Sequence, residues 1–121
     1  MTADEITLYL REFAAKHDLV AKAISGCWKC VENLLEEGEA DAKILRGPGV
    51  ENLAVFFKKH FLVFEHEAYE TPFISTQIIL YVKDDENPDF AQQFPLGIYD
   101  YETYPDGELR DDWFVLYPPI N

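Results

Sequence analysis

The sequence has few basic residues. Its 121 residues include 10 Lys and Arg against 23 Asp and Glu, which gives a formal net charge of −13. Binding to nucleic acid or to an anionic membrane surface requires clustered basic side chains, so this shortage predicts that the protein binds neither. The shortage is greatest in residues 61–121, where 13 acidic residues stand against only two bases, Lys83 and Arg110.

Long apolar runs and targeting signals are also lacking. The uncharged stretch at residues 72–82 is far shorter than the roughly 20 residues that cross a bilayer. Residues 1–5 contain two acids and lack the basic start and apolar run of a secretory signal. Together these features predict an intracellular, cytoplasmic protein without a membrane span.

Catalytic motifs are scarce. The serines at positions 25 and 75 are not part of a G-x-S-x-G nucleophile elbow. The segment Gly47-Pro48-Gly49 is too short for a phosphate-binding loop, and no Lys-Ser or Lys-Thr pair follows it. Acidic residues are plentiful, but their number alone does not identify an acid and a base with separated pKa values. The sequence therefore favours a non-catalytic protein and predicts no cofactor.

What the chain does contain is enough apolar material for one folded core. Hydrophobic residues make up 48% of it and aromatic residues 15%. This length fits a single domain over residues 1–121. A glycine- and proline-containing loop at residues 46–49 separates a helical part, at about 1–45, from a strand-rich part, at about 60–118.

Capping residues and apolar periodicity predict two helices in the first part. Thr2 and Glu5 fit a capping box, which indicates a helix from about residue 3 to 16. Asp18 is a suitable N-cap for a second helix, which ends at Gly38. One side of this second helix carries apolar residues at helical spacing: Leu19, Ala23, Ile24, Cys27, Val31, Leu34 and Leu35.

The second part reads as four strands. Two are predicted at 61–69 and 73–82, and two more at 96–104 and 108–117. The pattern of residues 50–59 fits both a helix face and a buried strand, so their class stays open. The simplest architecture is an α+β fold with one or two N-terminal helices packed on an antiparallel sheet of about four strands, ending in a β-hairpin.

The last two strands flank the turn sequence Pro105-Asp106-Gly107. Proline presets the first turn angle, aspartate bonds back to the chain, and glycine accepts a left-handed conformation. A three-residue loop would place Glu102 opposite Arg110, which is a favourable cross-strand pair. The same register places Asp100 opposite Asp112, where two carboxylates repel unless solvent screens them or a basic group lies between them.

The hairpin combines acidic and aromatic side chains, which suits recognition of a basic protein partner. In size and charge the chain resembles immunity proteins and other acidic inhibitors of basic nuclease toxins. This resemblance implies a non-catalytic binding or inhibitory function. The predicted partner-binding residues are Tyr99, Asp100, Tyr101, Glu102, Asp111, Asp112 and Trp113.

A second hypothesis concerns the segment Cys27-Trp28-Lys29-Cys30, which resembles the C-x-x-C redox motif of thioredoxin-like proteins. The resemblance implies a thiol-disulfide oxidoreductase that uses Cys27 and Cys30. Such a motif needs its first cysteine at a helix N-terminus, whereas these cysteines fall inside the predicted second helix. The competing interpretation is a pair of small buried side chains in the core.

Metal binding is the third hypothesis. The two cysteines with His60 and His66 supply zinc-type ligands, but two histidines six residues apart on an extended chain lie too far from each other to share one ion. Asp85, Asn87 and Asp89 have the alternate spacing with which an EF-hand loop begins, although Phe90 stands where that loop needs glycine. A weak calcium site and a solvated acidic loop both remain open here.

Overall fold

The computed structural model describes residues 2–65, 67–68, 72–83 and 94–117 of the chain. Within them, three helices precede a four-stranded antiparallel sheet, which confirms the predicted α+β fold and its final hairpin. The helices are α1 (Ala3–Lys16), α2 (Leu19–Glu37) and α3 (Glu39–Arg46). The strands are β1 (Leu53–Val63), β2 (Phe73–Val82), β3 (Phe94–Thr103) and β4 (Leu109–Leu116), and each pairs with the next along the chain.

Helices α1 and α2 have the bounds that their capping residues and periodicity predict. The Thr2 hydroxyl oxygen accepts a hydrogen bond from the Glu5 backbone N–H at 3.1 Å, which satisfies a donor that the helix itself leaves free. Asp18 occupies the N-cap position of α2 in the left-handed region, with φ at 51°, and its side chain makes no capping hydrogen bond. Asp18 thus has the predicted N-cap position, but it supplies the turn between the two helices rather than a side-chain hydrogen bond.

The structure adds a third helix and an early first strand. Helix α3 follows α2 directly after Gly38 and buries Ala42 and Leu45. Residues 50–59, which the sequence pattern left open, form a 3-10 turn at Val50–Asn52 and then the first half of β1. Strand β1 therefore begins well before the predicted position at residue 61.

The core lies between α2 and one face of the sheet. Four buried residues of α2 recur at helical spacing: Leu19, Ala23, Cys27 and Val31. They pack in clusters with buried strand residues such as Ile78, Leu80 and Tyr99, and Leu45 of α3 extends the largest cluster. Full burial of each large apolar side chain stabilises the fold by about 1.5–3 kcal/mol.

Among the described residues, no helix is long and apolar enough to cross a membrane.

Side chains alternate along each strand, so the sheet has two different faces. In the hydrophobic clusters of the described residues, the helices pack against the face of Ile78 and Tyr99, which we call the covered face. The opposite surface is called the open face. Its side chains follow from the strand register: Phe56, Lys59, Phe61, Val63, Phe73, Ser75, Gln77, Ile79, Tyr81, Ile98, Asp100, Glu102, Asp111, Trp113 and Val115.

Candidate functional site

The turn of the final hairpin forms as its sequence predicts. The Tyr104 backbone N–H donates to the Glu108 carbonyl at 2.9 Å, and the Gly107 N–H donates back to the Tyr104 carbonyl at the same distance. The Asp106 carboxylate accepts the Glu108 N–H at 2.9 Å. Gly107 has φ at 87°, a conformation that side chains rarely adopt.

Beyond the turn, the register differs from the prediction by one residue. Arg110 is an extra residue in β4, because Glu102 pairs with Asp111 while the next residue of β3 already pairs with Leu109. This β-bulge keeps Arg110 beside Glu102, and their ion pair is 2.6 Å long. The predicted Glu102–Arg110 contact is thus present, although it is made at a bulge.

The bulge overturns the predicted opposition of two aspartates. Asp100 lies opposite Trp113, and Asp112 lies opposite Tyr101. Because neighbouring residues of a strand point to opposite faces, Asp100 belongs to the open face and Asp112 to the covered face. The straight register would bring these two carboxylates close enough to repel, whereas the folded sheet holds them on opposite faces.

The seven predicted partner-binding residues consequently fall into two groups. Those on the open face are Asp100, Glu102, Asp111 and Trp113, and those on the covered face are Tyr99, Tyr101 and Asp112. Asp111, Asp112 and Trp113 are exposed, and Trp113 has 44% of its surface accessible. Tyr101 and Glu102 are half-buried, whereas Tyr99 and Asp100 are buried.

Tyr99 is a core residue rather than a surface residue. Its ring packs in a cluster with Ala23, Cys27 and Ile78. At the rim of that cluster its hydroxyl donates a hydrogen bond to the Asp112 carboxylate at 2.7 Å. Burial, together with this bond, raises the pKa of Tyr99, so the phenol stays protonated. The expectation that its ring is presented to a partner is therefore corrected.

Asp100 is the most unusual polar group of the hairpin. Only 1% of its surface is accessible, even though it lies on the open face. Its Oδ1 accepts hydrogen bonds from the Ser75 hydroxyl at 3.1 Å and from the Gln77 amide at 3.4 Å. Its Oδ2 is buried and has no hydrogen-bond partner. An ionised carboxylate in such a position costs free energy unless another group compensates it.

The strand register explains how Asp100 is surrounded. One row across the open face consists of Lys59 in β1, Gln77 in β2, Asp100 in β3 and Trp113 in β4. Gln77 and Trp113 are thus the direct neighbours of the carboxylate on either side. Sequence reasoning missed Ser75 and Gln77 because they lie on β2, more than 20 positions away, and no local pattern links them to the hairpin.

Electrostatic effects follow from this burial. Desolvation raises the pKa of Asp100, while the hydrogen bonds from Ser75 and Gln77 and the charge of Lys59 oppose the rise. Desolvation also raises the pKa of Glu102, against the opposing effect of Arg110. Trp113 hydrogen-bonds the Glu102 carboxylate as well. The open face of the hairpin therefore holds two desolvated carboxylates, of which Glu102 is already paired with Arg110. The groups beside them that are open to a cationic ligand are the exposed Asp111 and the half-exposed indole of Trp113.

The two cysteines lie in the middle of α2 and are not disulfide-bonded. Cys27 is fully buried, and desolvation raises the pKa of its thiol to about 12. Desolvation and the nearby Asp112 charge raise the pKa of Cys30 as well. Both effects disfavour the thiolate, which is the reactive form in redox chemistry. This geometry favours the interpretation of the pair as core residues.

The metal hypotheses gain no support from the described part of the chain. His60 is half-buried on β1, where its Nδ1 shares a hydrogen bond with the Thr76 hydroxyl at 2.9 Å. Among the described residues, no group of three or more His, Cys, Asp or Glu side chains could hold a metal ion. His66 and the predicted calcium residues Asp85, Asn87 and Asp89 lie outside the described residues.

No protein-family model, no curated protein and no solved structure matches this chain.

Proposed function

We propose that the chain is a non-catalytic binding or inhibitory protein, similar in kind to immunity proteins, whose C-terminal hairpin engages a basic protein partner. The observation that carries this proposal is the exposed pair Asp111 and Trp113, which lie side by side on the open face of β4 next to the buried Asp100 carboxylate. Glu102 and Asp111 form the neighbouring row on the same face. A partner arginine matches the exposed Asp111 and Trp113, since its guanidinium pairs with a carboxylate and stacks on an indole ring.

The charge of the molecule supports the same proposal. With a net charge of −13, the protein attracts positively charged macromolecules over a range set by the Debye length and accelerates their approach. Long-range attraction does not by itself select a surface. In this proposal the selection comes from Trp113, because aromatic side chains at the centre of an interface often contribute a large share of the binding energy.

The proposed setting is the cytoplasm. Cys27 and Cys30 are both free thiols, which suits a reducing compartment.

Two of the hairpin residues on the covered face, Tyr99 and Asp112, have a different role in this proposal. Their mutual hydrogen bond fixes β4 against the core and so holds the open-face side chains of the hairpin in place.

Photo-crosslinking tests the position of the site and the chemistry of the partner. A benzophenone amino acid placed at Val115, an exposed open-face residue of β4 next to Trp113, should capture a protein of net positive charge in cells of the native host. The same group placed at Tyr9, an exposed residue of α1, serves as the control for nonspecific capture. Capture of the same proteins from both positions, or of acidic proteins alone, would contradict the proposal.

The captured partner then allows a quantitative test. Asp111→Asn combined with Glu108→Gln removes two exposed charges from the hairpin. This variant should bind the partner at least about tenfold more weakly, with a flatter dependence on salt concentration. Glu36→Gln combined with Glu37→Gln makes the same change of charge at exposed positions of α2 and should alter affinity by no more than about twofold. Equal losses in both variants would show that net charge matters and that the hairpin is not the site.

A further inference from the structure

A large groove lies along β1, the edge strand farthest from the final strand β4. Its volume is about 910 Å³, within the range of sites that hold ligands. Residues of α1 and α2 form one wall, among them Leu10 and Ile24, and β1 forms the other. Most of the lining is apolar.

The pattern of strand residues shows where this groove runs. It touches five positions of β1, namely residue 57 and residues 59–62. His60 and Leu62 belong to the covered face, whereas Lys59 and Phe61 belong to the open face. A cavity beneath one face would contact only alternate residues. Because this groove contacts β1 residues of both faces in succession, it extends from the covered face, where Ile74 of β2 also lines it, round the backbone edge of β1.

That edge is free of strand partners in the described part of the chain. The sheet order is β1-β2-β3-β4, so β1 pairs on one side with β2 and forms the end of the sheet. Backbone N–H and C=O groups on the outer side of an end strand can pair with another extended segment. The groove therefore combines a row of backbone donors and acceptors with an apolar wall, which is the arrangement that recognises extended peptides.

Charge indicates which peptide fits. The protein is strongly acidic overall, yet Arg11 lines the groove from α1, and Lys58 and Lys59 are adjacent in the middle of β1. Burial lowers the pKa of His60, so this side chain adds no positive charge at neutral pH. Among the residues that line the groove, Arg11 and Lys59 outnumber the one acid, Asp18, and so provide a local positive potential that favours an acidic residue in the ligand.

The same lysines disfavour a second copy of this chain as the occupant. Antiparallel pairing of two β1 edges about a two-fold axis would bring Lys58 and Lys59 of both copies close together. Like charges facing each other across strands are destabilising, and lysines on a free edge commonly prevent self-association.

We propose that the groove binds an extended peptide segment of a partner protein by strand addition to the edge of β1. The segment places alternate apolar side chains against Leu10 and Ile24, and carries an acidic residue near Arg11 and Lys59. This site is separate from the hairpin site, since β1 and β4 form opposite edges of the sheet. The inference stands without the proposed function of the hairpin.

Amide exchange with a defined peptide pool tests the proposal. The probe is a pool of acetylated hexapeptides with Val, Ile, Leu or Phe at alternate positions and one central Glu, added to the full-length protein labelled with ¹⁵N. Amides within residues 57–62 should exchange at least about tenfold more slowly when the pool is bound. A pool with proline at the centre should give no protection, because proline cannot donate to the strand ladder. A pool with Lys in place of Glu should bind at least about fivefold more weakly.

A variant whose groove is filled by a larger side chain tests whether the peptide binds there. Ala21 is an exposed residue of α2 that lines the groove, so Ala21→Trp should weaken peptide binding by at least about tenfold while the fold is kept. Ala40→Trp is the control, because Ala40 is an exposed residue of α3 that does not line the groove. This variant should bind the peptide pool with an affinity unchanged within about twofold. The ¹⁵N spectra of both variants report whether they are folded.

Three results would overturn the proposal. The first is the absence of protected amides in β1 with every pool at millimolar concentration. The second is protection confined to β4. The third is a dimer, observed by sedimentation, that dissociates in the Ala21→Trp variant, because self-pairing of the edge would then explain the groove.

Discussion

Asp100 is the residue at which stability and binding make opposing demands. A buried carboxylate with one oxygen unpartnered destabilises a free protein, and replacement by a neutral side chain is the direct remedy. Residues that oppose stability in this way are characteristic of functional sites, where their cost is accepted for the sake of binding. Because only 1% of its surface is accessible, Asp100 contributes negative potential beside Trp113 in the proposed partner site rather than a direct contact.

Asp100→Asn should stabilise the free protein at neutral pH. The pKa of Asp100 is raised in the folded state, so the favourable contribution of its neutral form is complete below the unfolded pKa of about 3.9 and is lost as pH rises through the higher folded pKa. Thermal unfolding at pH 7 should show a Tm about 2–5 °C above that of the wild type, and the gain should disappear as pH falls below about 4.

Asp111→Asn is the matched control for this prediction. It removes the same charge from an exposed position on the same face, and Tm should change by no more than about 2 °C. A Tm of Asp100→Asn at or below that of the control at neutral pH would show that the carboxylate is compensated in the folded protein.

Sequence could identify Asp100 as a strand residue but could not reveal this environment. The two groups that bond it, Ser75 and Gln77, come from another strand, and only the register of the folded sheet brings them together. The acidic and aromatic composition of the hairpin was visible, and so was its turn. Burial, which distinguishes Asp100 from the exposed Asp111, is a long-range property that no local pattern reports.

At the scale of elements, α2 approaches the sheet closely because it contains Gly26. A Cβ atom added there would overlap the Tyr99 hydroxyl and would lie 2.9 Å from Cζ of the same ring. Glycine in the interior of a helix usually costs about 1 kcal/mol relative to alanine. Here the glycine allows the ring of Tyr99 to lie against the helix backbone, which offsets that cost.

Gly26→Ala should therefore destabilise the protein by about 1–3 kcal/mol, although the same change elsewhere in a helix stabilises it. Chemical denaturation measures the difference, and Ser25→Ala, at an exposed position of the same helix, is the control. In the Tyr99→Phe background the penalty should be smaller by at least about 0.5 kcal/mol, since the overlapping hydroxyl is gone. A Gly26→Ala protein as stable as the wild type would contradict the close approach.

Elements with a strong periodic signal could be predicted, and short or irregular ones could not. Helices α1 and α2 have long apolar stripes, and β2 is an uncharged stretch rich in β-branched and aromatic residues. Helix α3 has only eight residues and two buried positions, too few for its period to stand out. The bulge at Arg110 is invisible to pattern reading, because the straight register also pairs Arg110 with Glu102.

At the scale of the whole molecule, charge repulsion should limit stability. The net charge is −13, and a single ion pair, Arg110–Glu102, is found among the residues that the structure describes. Addition of salt screens repulsion between exposed acids at distances beyond about 10 Å. Raising NaCl from about 10 mM to about 200 mM should therefore increase Tm by several degrees.

The same increase should occur with KCl, since screening depends on ionic strength rather than on the identity of the cation. A fall in Tm with added salt would mean that favourable charge contacts outweigh repulsion. A gain confined to one cation would instead indicate a specific ion site.

The extra residue in β4 decides which side chains of the last strand meet water and which meet the helices. If β4 instead paired straight through Arg110, inside and outside would be exchanged for every residue from Asp111 to Leu116. The identity of the binding surface thus depends on one residue that is left out of the ladder. The same sequence folded without that irregularity would present a different molecule to the same partner.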